Sequence, residues 1–434
     1  MKTNIAAKND RHILFPINKK DWTIAGLIFL LFFGIYFGLA TQLVQNTPIA
    51  IYDDVLFEID TARAIIDMTI FSGYHYRTEV HPIYVLMINP IGEAIGRIIP
   101  SNEMTAVFIN VFFGAAGTTL AYLVSRLAGT QVSTSVLFTS IFGFSTSQLF
   151  LSIIPDTASL AVCTLLITYG LFKISLQTRR VPDWIWIIAG ILTLGVTTTN
   201  FAQTVLCYAV LQLKDIDKPR PGLNLWRILR YTLLVLLIVI PLSLIQKAIY
   251  PSATLFFLPR VYFDELGYAS ASILSAPLEI IPVILKSFFA DTIIAPEPTI
   301  LEIVGRDIPA ITFTHATTYF PIGYAGLAIW VVMLAASLYQ LIKKKRFLLF
   351  ELGLIASMGF NLILHSFYGI GEKNKIELFL YTGNLTFIVL MLWSRAFYRI
   401  NNKMIRFAAL TSLAAAAGIN NILILQGIIR LLSS

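Results

Sequence analysis

The chain has 434 residues, of which 57% are hydrophobic and 13% are charged, and its formal net charge is +8. Soluble domains carry about twice this charged fraction, so the composition excludes an ordinary soluble protein. Apolar runs of about 20 residues, long enough to cross a bilayer as helices, recur along the whole length. Because these runs are continuous rather than alternating, they predict an all-α polytopic membrane protein and exclude a β-barrel.

Eleven membrane spans are predicted in chain order. They are 23–44, 103–126, 133–151, 157–176, 184–200, 201–213, 228–249, 322–342, 347–367, 376–394 and 405–430. The run at 201–213 is short, and together with 184–200 it suggests a hairpin around 197–200. No internal repeat and no soluble domain is evident, so residues 1–434 are predicted to form one integral-membrane domain.

The Lys and Arg residues set the predicted orientation. With the amino terminus in the cytoplasm, 22 of the 32 Lys and Arg residues fall on the cytoplasmic side, against 6 of the 24 Asp and Glu residues. This bias predicts a multi-pass protein of the inner (plasma) membrane with a cytoplasmic amino terminus. The basic residues then set the orientation of the chain in the membrane and contact membrane lipid, so no nucleic-acid partner is expected. Cys163 and Cys207 lie within apolar runs and are expected to be unpaired thiols.

Two long segments are predicted to be external: the first outer loop, 45–102, and the second outer loop, 250–321. In the first, 81–99 is apolar enough to suggest a span, but a crossing there would turn the basic run 343–346 outward. We therefore expect this loop to contain helices that lie in the interface. The second holds eight of the 18 prolines, a density that favours a shaped loop over long helices.

The first outer loop opens with two adjacent carboxylates, Asp53 and Asp54. At the membrane surface they are candidates for a catalytic base. The alternative is a helix N-cap with solvated acids in the first turn. His81, which precedes a proline, is a candidate ligand for phosphate or a sugar hydroxyl, although lone His-Pro pairs are common. Asp156 is a candidate substrate ligand at the mouth of a helix, or simply an acid that complements the helix dipole.

A second polar group is predicted near the carboxyl-terminal spans. Its candidate substrate-binding residues are His365, Tyr368, Glu372, Lys373 and Tyr381. Polar residues at a membrane edge suggest function, and the alternative is anchoring of the interface by Tyr and Lys. Arg260, in the second outer loop, is the preferred phosphate ligand because a guanidinium binds two oxygens at once. No cofactor is predicted, and scattered Asp, Glu and His residues indicate a divalent metal only weakly.

Three stretches carry a resemblance to a known family. They are HPIYVLMINPIG from His81, FGFSTSQLFLSIIPDTASLA through Asp156, and HSFYGIGEKNKIELFLYTGN from His365. With the predicted topology, they resemble the GT-C superfamily of integral-membrane glycosyltransferases, in particular bacterial relatives of the protein mannosyltransferase and aminoarabinose transferase group. Many relatives carry Glu where this chain has Asp156, and similar chains often have His near the position of Asn384. These departures bear on donor or acceptor identity.

The resemblance implies a polyprenyl-phosphate sugar as donor and Asp53 or Asp54 as the base. We therefore predict a glycosyltransferase that moves a hexosyl or pentosyl unit to a glycan, lipid or protein acceptor of the cell envelope at the external face. The alternatives are a lipid-linked glycan polymerase or ligase, and a transporter or flippase. Transporters place ionisable groups near the bilayer midplane, whereas the acids here lie in the outer loops.

A lipid-linked donor also predicts the form of the site. Exposing a polyprenyl tail to water costs about 0.8 kcal/mol per CH₂ group, so the reacting phosphate has to stay at headgroup depth. We expect one polar cavity at the outer membrane surface, open sideways to lipid. Its walls should include Asp53, Asp54, His81, Asp156 and residues of 250–321 and 365–384.

Overall fold

The computed structural model describes residues 17–178, 181–215, 221–267, 269–302, 308–314, 316–343, 347–369, 378–397 and 402–433. Helix accounts for 77% of the structure and strand for 2%. The described residues include seven helices long and apolar enough to cross a membrane, or eight if one bent pair is a single span. The protein is therefore a multi-pass membrane-associated protein.

Seventeen helices are found within the described ranges. They are α1 (Lys19–Asn46), α2 (Thr61–Thr69), α3 (Tyr84–Gly96), α4 (Asn102–Leu127), α5 (Val132–Phe144), α6 (Thr146–Ile153), α7 (Ala158–Gln177), α8 (Asp183–Val196), α9 (Asn200–Leu211), α10 (Pro221–Ile249), α11 (Pro259–Leu266), α12 (Ser272–Ser275), α13 (Pro277–Lys286), α14 (Pro321–Lys343), α15 (Leu349–Phe367), α16 (Gly383–Phe397) and α17 (Lys403–Ser433). The seven long apolar helices are α1, α4, α7, α10, α14, α15 and α17, and α4 packs against both α1 and α7.

Local sequence explains where several of these helices begin and break. Asn18 and Asp21 form a capping box at the start of α1, in which each side chain accepts the backbone N–H of the other. The predicted span 133–151 is broken into α5 and α6, which meet at 59°. Ser145 stands in extended conformation at the break, and its hydroxyl accepts from Gln148 N to cap α6.

Polar contacts tie helix ends together at two opposite faces of the bundle. At one face, here called the basic end, Arg126 Nε at the end of α4 lies 2.7 Å from Asp21 Oδ1 at the start of α1. At the other, the loop end, Ser433 Oγ near the end of α17 donates over 2.8 Å to the Asn46 carbonyl at the end of α1. Helices α1 and α17 therefore run in the same direction.

The shorter helices α8 and α9 form a hairpin with its open side at the basic end. Tyr208, near the end of α9, and Arg230, near the start of α10, each lie 3.5 Å from the carboxylate of Asp183 at the start of α8. The tip of the hairpin is held by the first outer loop, because Ile83 N donates to the Gly195 carbonyl over 2.9 Å. Within this loop, α2 and α3 are too short to span a membrane.

The two outer loops pair with each other at the loop end. The second forms an antiparallel ladder of β1 (Thr299–Leu301) and β2 (Ala310–Thr312). Phe57 N donates to the Ile311 carbonyl over 2.8 Å, and Ile311 N donates back to Val55 O over 2.9 Å. The buried ring of Phe57 lies 4.4 Å from that of Phe313 and 4.7 Å from that of Phe379. This aromatic cluster fixes the first loop against the second.

Part of the second outer loop enters the helix bundle. Residues 291–295 form this inserted segment, and each is at most 1% exposed. Side chains of α17 bind its backbone: Asn421 Nδ2 donates to Ile293 O over 2.9 Å and Asn421 Oδ1 accepts from Ala295 N over 2.8 Å. Asn420 Nδ2 donates to Ala295 O over 2.8 Å. Non-helical backbone is tolerated among membrane helices only where protein groups satisfy it in this way.

The break between α5 and α6 completes the seat of the inserted segment. The first N–H groups of α6 have no partner within their own helix. Here Thr146 N donates to Ile293 O over 3.2 Å and Ser147 N donates to Thr292 O over 3.1 Å. The bend therefore exposes backbone donors at the point where the loop arrives.

Candidate functional site

A network of charged side chains is built around Arg63 of α2. Three-residue and four-residue spacings place Asp60, Arg63 and Asp67 on one face of this helix. Arg63 Nε lies 3.1 Å from Asp60 Oδ2, and Arg63 Nη1 lies 2.6 Å from Asp67 Oδ2. Only 6% of the Arg63 side chain and 2% of the Asp67 side chain are exposed. A buried guanidinium with two carboxylates forms the centre of the network.

The first outer loop adds His75 and Arg77 to the network. His75 Nδ1 lies 2.7 Å from Asp67 Oδ1, and His75 Nε2 lies 3.2 Å from the Phe71 carbonyl. Arg77 extends toward the second outer loop, where its Nη1 lies 3.0 Å from Glu265 Oε1. Its Nε is buried, makes no hydrogen bond among the described residues and lies 3.9 Å from Asp60 Oδ2. Arg77 therefore links the carboxylates of Asp60 and Glu265.

Asp156 joins the network from the helix bundle. Its Oδ1 lies 3.7 Å from Arg63 Nη2, and its Oδ2 accepts from Ala158 N over 3.2 Å. The second contact caps the start of α7, so the helix-start interpretation of this residue holds alongside the charge contact. Burial raises the pKa of the Asp156 carboxyl, and the Arg63 charge opposes that rise. The contact with Arg63 brings the mouth of α7 to the first outer loop.

Asp53 and Asp54 lie at the rim of the network and are partly exposed. Asp53 Oδ1 accepts from the backbone N–H of Arg63 over 3.0 Å, so Asp53 and Asp156 contact the same residue. Asp54 has a φ of 62°, in the left-handed region, and Phe57 and Glu58 follow with φ of 57° and 54°. Left-handed non-glycine residues carry strain that surrounding structure has to hold, and they cluster at functional sites. Here the buried ring of Phe57 helps to hold this turn.

His81 fastens the first outer loop to the α8–α9 hairpin. Its Nδ1 lies 2.6 Å from the Val196 carbonyl, and the following carbonyl, of Pro82, accepts from Gln246 Nε2 over 2.9 Å. Burial, together with the charges of Arg63 and Arg77, lowers the pKa of His81 to about 3. The imidazole is therefore neutral at physiological pH, where it binds a carbonyl and cannot supply a positive charge to a phosphate.

The lowered pKa of His81 gives a testable pH dependence. An ordinary His has a pKa of 6.5, so between 6.5 and about 3 the unfolded chain binds a proton that the folded chain does not. This group therefore makes the fold lose stability as pH falls through that window. His81→Asn keeps a donor for Val196 O but does not titrate. We expect its thermal midpoint to fall less than that of the wild type between pH 7.5 and pH 5, and parallel curves would contradict the assignment.

The candidates His365, Tyr368 and Tyr381 lie together at the end of α15. The rings of His365 and Tyr381 are stacked with centroids 4.2 Å apart, and the Tyr368 ring lies 5.8 Å from that of Tyr381. The Tyr368 hydroxyl donates to Glu265, which joins this aromatic group to the charge network. Both ring nitrogens of buried His365 have no hydrogen-bond partner among the described residues. An aromatic group that includes a buried histidine therefore lies next to the charge network.

The remaining candidates are less closely connected. Arg260 is exposed near the start of α11, five residues before Glu265 and thus about 140° around the helix from it. Glu372 and Lys373 lie outside the described residues. Within the described ranges, no group of three or more His, Cys, Asp or Glu residues is placed to hold a metal.

The predicted cavity at the loop end is not confirmed. Arg63, Asp67 and Asp156 are buried against one another, and a cavity of about 460 Å³ lies at the basic end. A substrate would therefore meet the partly exposed Asp53 and Asp54 first. No protein-family model matches this chain, and no curated protein matches it either.

Part of this network was not predicted from the sequence. Arg260 was the preferred phosphate ligand, and no role was predicted for Arg63, Arg77 or His75. The spacing of Asp60, Arg63 and Asp67 on one helix face was a usable signal for Arg63.

Proposed function

We propose that this protein is a GT-C-type glycosyltransferase that uses a polyprenyl-phosphate sugar at the external membrane face. One observation carries the proposal. Both outer loops, the mouth of α7 and the end of α15 converge on one buried charge network, with Asp53 and Asp54 partly exposed at its rim. Structural charges scattered around a membrane protein would not require four separate segments to meet.

In the proposed reaction, Asp53 or Asp54 accepts the proton of an acceptor hydroxyl as its oxygen attacks the anomeric carbon. The bond between that carbon and the phosphate oxygen breaks, and the electron pair leaves with the polyprenyl phosphate. Attack from the face opposite the leaving group inverts the anomeric configuration. The departing phosphate needs positive charge more than it needs a proton, and Arg77, which joins the charge network to the second outer loop, is the cation proposed to supply it. The partly exposed rings of Tyr368 and Tyr381, beside the network, are the aromatic surfaces proposed to contact the sugar.

In the proposed topology, the chain crosses the inner membrane eleven times, and its amino terminus lies in the cytoplasm. Because α1 and α17 run in the same direction, the number of passes from one to the other is odd. The seven long helices and the bent pair give eight, so the shorter apolar helices have to contribute an odd number. Counting the α8–α9 hairpin and α16 gives the proposed eleven, and α16 alone gives nine.

Cysteine labelling tests this orientation. The native Cys163 and Cys207 are buried, so a single introduced cysteine gives a clean signal. Lys20→Cys at the basic end and Tyr74→Cys in the first outer loop are both exposed positions. In intact cells a membrane-impermeant maleimide should label position 74 alone, and position 20 should react only after the membrane is opened. Labelling of position 20 from outside would reverse the topology.

The activity is tested with purified protein in proteoliposomes supplied with polyprenyl-phosphate sugars and an envelope extract. We expect consumption of one lipid-linked sugar and a product larger by one sugar unit, detected by mass spectrometry. A ladder of products would instead show a polymerase, and transfer of an intact lipid-linked sugar between leaflets would show a flippase. Cells lacking the protein should accumulate the same donor. The proposal is wrong if the purified protein consumes no lipid-linked sugar and cells lacking the protein contain the same amount of every lipid-linked sugar as wild-type cells.

A further inference from the structure

The cavity at the basic end is far from the charge network. It measures about 460 Å³ and lies at the basic end, between the start of α5 and the start of α17. This volume falls within the range of roughly 300–1,000 Å³ that is usual for small-molecule sites. Because α17 has 31 residues and reaches Asn46 at the loop end, the cavity and the charge network lie at opposite ends of the bundle.

The side chains that line this cavity favour an anion. Lys403 and Arg406 are three residues apart on α17 and therefore share one face. Gln131, Ser133 and Thr134 of the α5 start add polar groups on the opposite wall. Among the described residues that line the cavity, none carries a carboxylate. Two cations and several hydrogen-bonding groups therefore line this one cavity.

A second pair of cations at the same end of the bundle gives an internal comparison. Arg227 and Arg230 line a crevice of only about 20 Å³, which they share with Asp183. Arg230 Nη2 lies 3.5 Å from the Asp183 carboxylate. That crevice has no room for a ligand and already holds an anion of its own. Positive charge at the basic end is therefore not enough by itself to make a site.

We propose that the cavity between α5 and α17 binds the phosphate headgroup of an anionic phospholipid. The shared chemistry is a phosphate, and the surroundings favour lipid over a soluble anion. Met404 is 82% exposed and Phe407 is 53% exposed, and both border the cavity with Leu410. Acyl chains can lie along such apolar side chains while the headgroup stays between the cations. Basic pockets between membrane helices are known to take headgroups of this kind.

Native mass spectrometry of the full chain released from detergent tests the site, with short-chain phosphatidylglycerol as the probe. Each cation near a membrane surface is worth about a fivefold change in binding of anionic lipid. The double variant Lys403→Gln with Arg406→Gln should therefore bind this lipid about 25-fold more weakly than the wild type. The matched control, Arg227→Gln with Arg230→Gln, removes the same charge at the same end and should keep wild-type binding. Thermal midpoints of both variants verify that each is folded.

Two further binding measurements identify the ligand. Phosphatidylcholine, which has no net charge, should bind more weakly than phosphatidylglycerol, and millimolar inorganic phosphate should not displace the lipid. Displacement by inorganic phosphate would assign the cavity to a soluble anion and overturn the lipid proposal. Equal loss of binding in the two double variants would show that overall charge, rather than this cavity, attracts the lipid, and would also overturn it. Neither result bears on the proposed glycosyl transfer, which lies at the other end.

Discussion

Arg63→Met is expected to destabilise the protein by about 3–5 kcal/mol, the usual effect of removing one partner from a buried ion pair. Methionine fills most of the volume but leaves the carboxylates of Asp67 and Asp156 buried without their cation. The measurement is the thermal midpoint in detergent together with the fraction of protein that elutes as one species. Arg63→Lys should recover only part of the loss because an ammonium cannot reach all three carboxylates as a guanidinium does.

A matched control lies in the same loop. Arg97 is exposed, and its change to Met should alter stability by no more than about 0.5 kcal/mol. Adding Asp67→Asn to Arg63→Met should destabilise by less than the sum of the two single changes, because the buried carboxylate that lost its partner is then neutral. A wild-type midpoint for Arg63→Met would show that the network does not hold the first outer loop.

Asp53→Asn or Asp54→Asn is expected to reduce sugar transfer by roughly 10²–10⁴-fold, since an amide cannot accept the acceptor's proton. The structure explains why Asn is the right replacement at both positions. At 53 the amide oxygen can still accept from Arg63 N, and at 54 Asn tolerates the left-handed backbone with φ of 62°. Alanine would lose the first contact and strain the second position.

The test compares transfer rates at equal amounts of folded protein. Glu93→Gln removes an exposed carboxylate from α3 of the same loop and serves as the control; it should keep the wild-type rate. The single variant with the larger loss identifies the base. If both Asn variants transfer at the wild-type rate while Arg63→Met still unfolds the protein, the charge network is structural and the base lies elsewhere.

The membrane class could be predicted from the sequence because hydropathy acts over whole spans, as in α1 and α10, where length and apolar content decide the structure. The sequence was less informative about short elements. The Ser145 cap marks where α6 begins, but the donors exposed at the 59° bend bind the backbone of Thr292, 147 positions later, and no local pattern reports that contact. The left-handed backbone at Phe57 likewise depends on aromatic partners from distant segments, and no local pattern reports it.

The residues of the candidate site could likewise be predicted only in part. Asp53, Asp156 and His365 stood out because acids and histidines beside apolar runs are unusual. His75 was missed because a histidine in a polar loop becomes informative only when its partner, Asp67, is known. The closed packing around Arg63 also follows from three-dimensional contacts, which explains why an open cavity was expected from the sequence where the structure has buried ion pairs.

The seat of the inserted segment has a consequence for the order in which the protein matures. Ala295 leaves the ribosome 125 residues before Asn420, which binds its carbonyl. Three helices, α14, α15 and α16, are synthesised in that interval. Until α17 is made, the backbone of Ile293 and Ala295 lacks the Asn420 and Asn421 side chains that bind it in the folded protein. The hydrogen bonds that hold the inserted segment can therefore all form only after α17 has been synthesised.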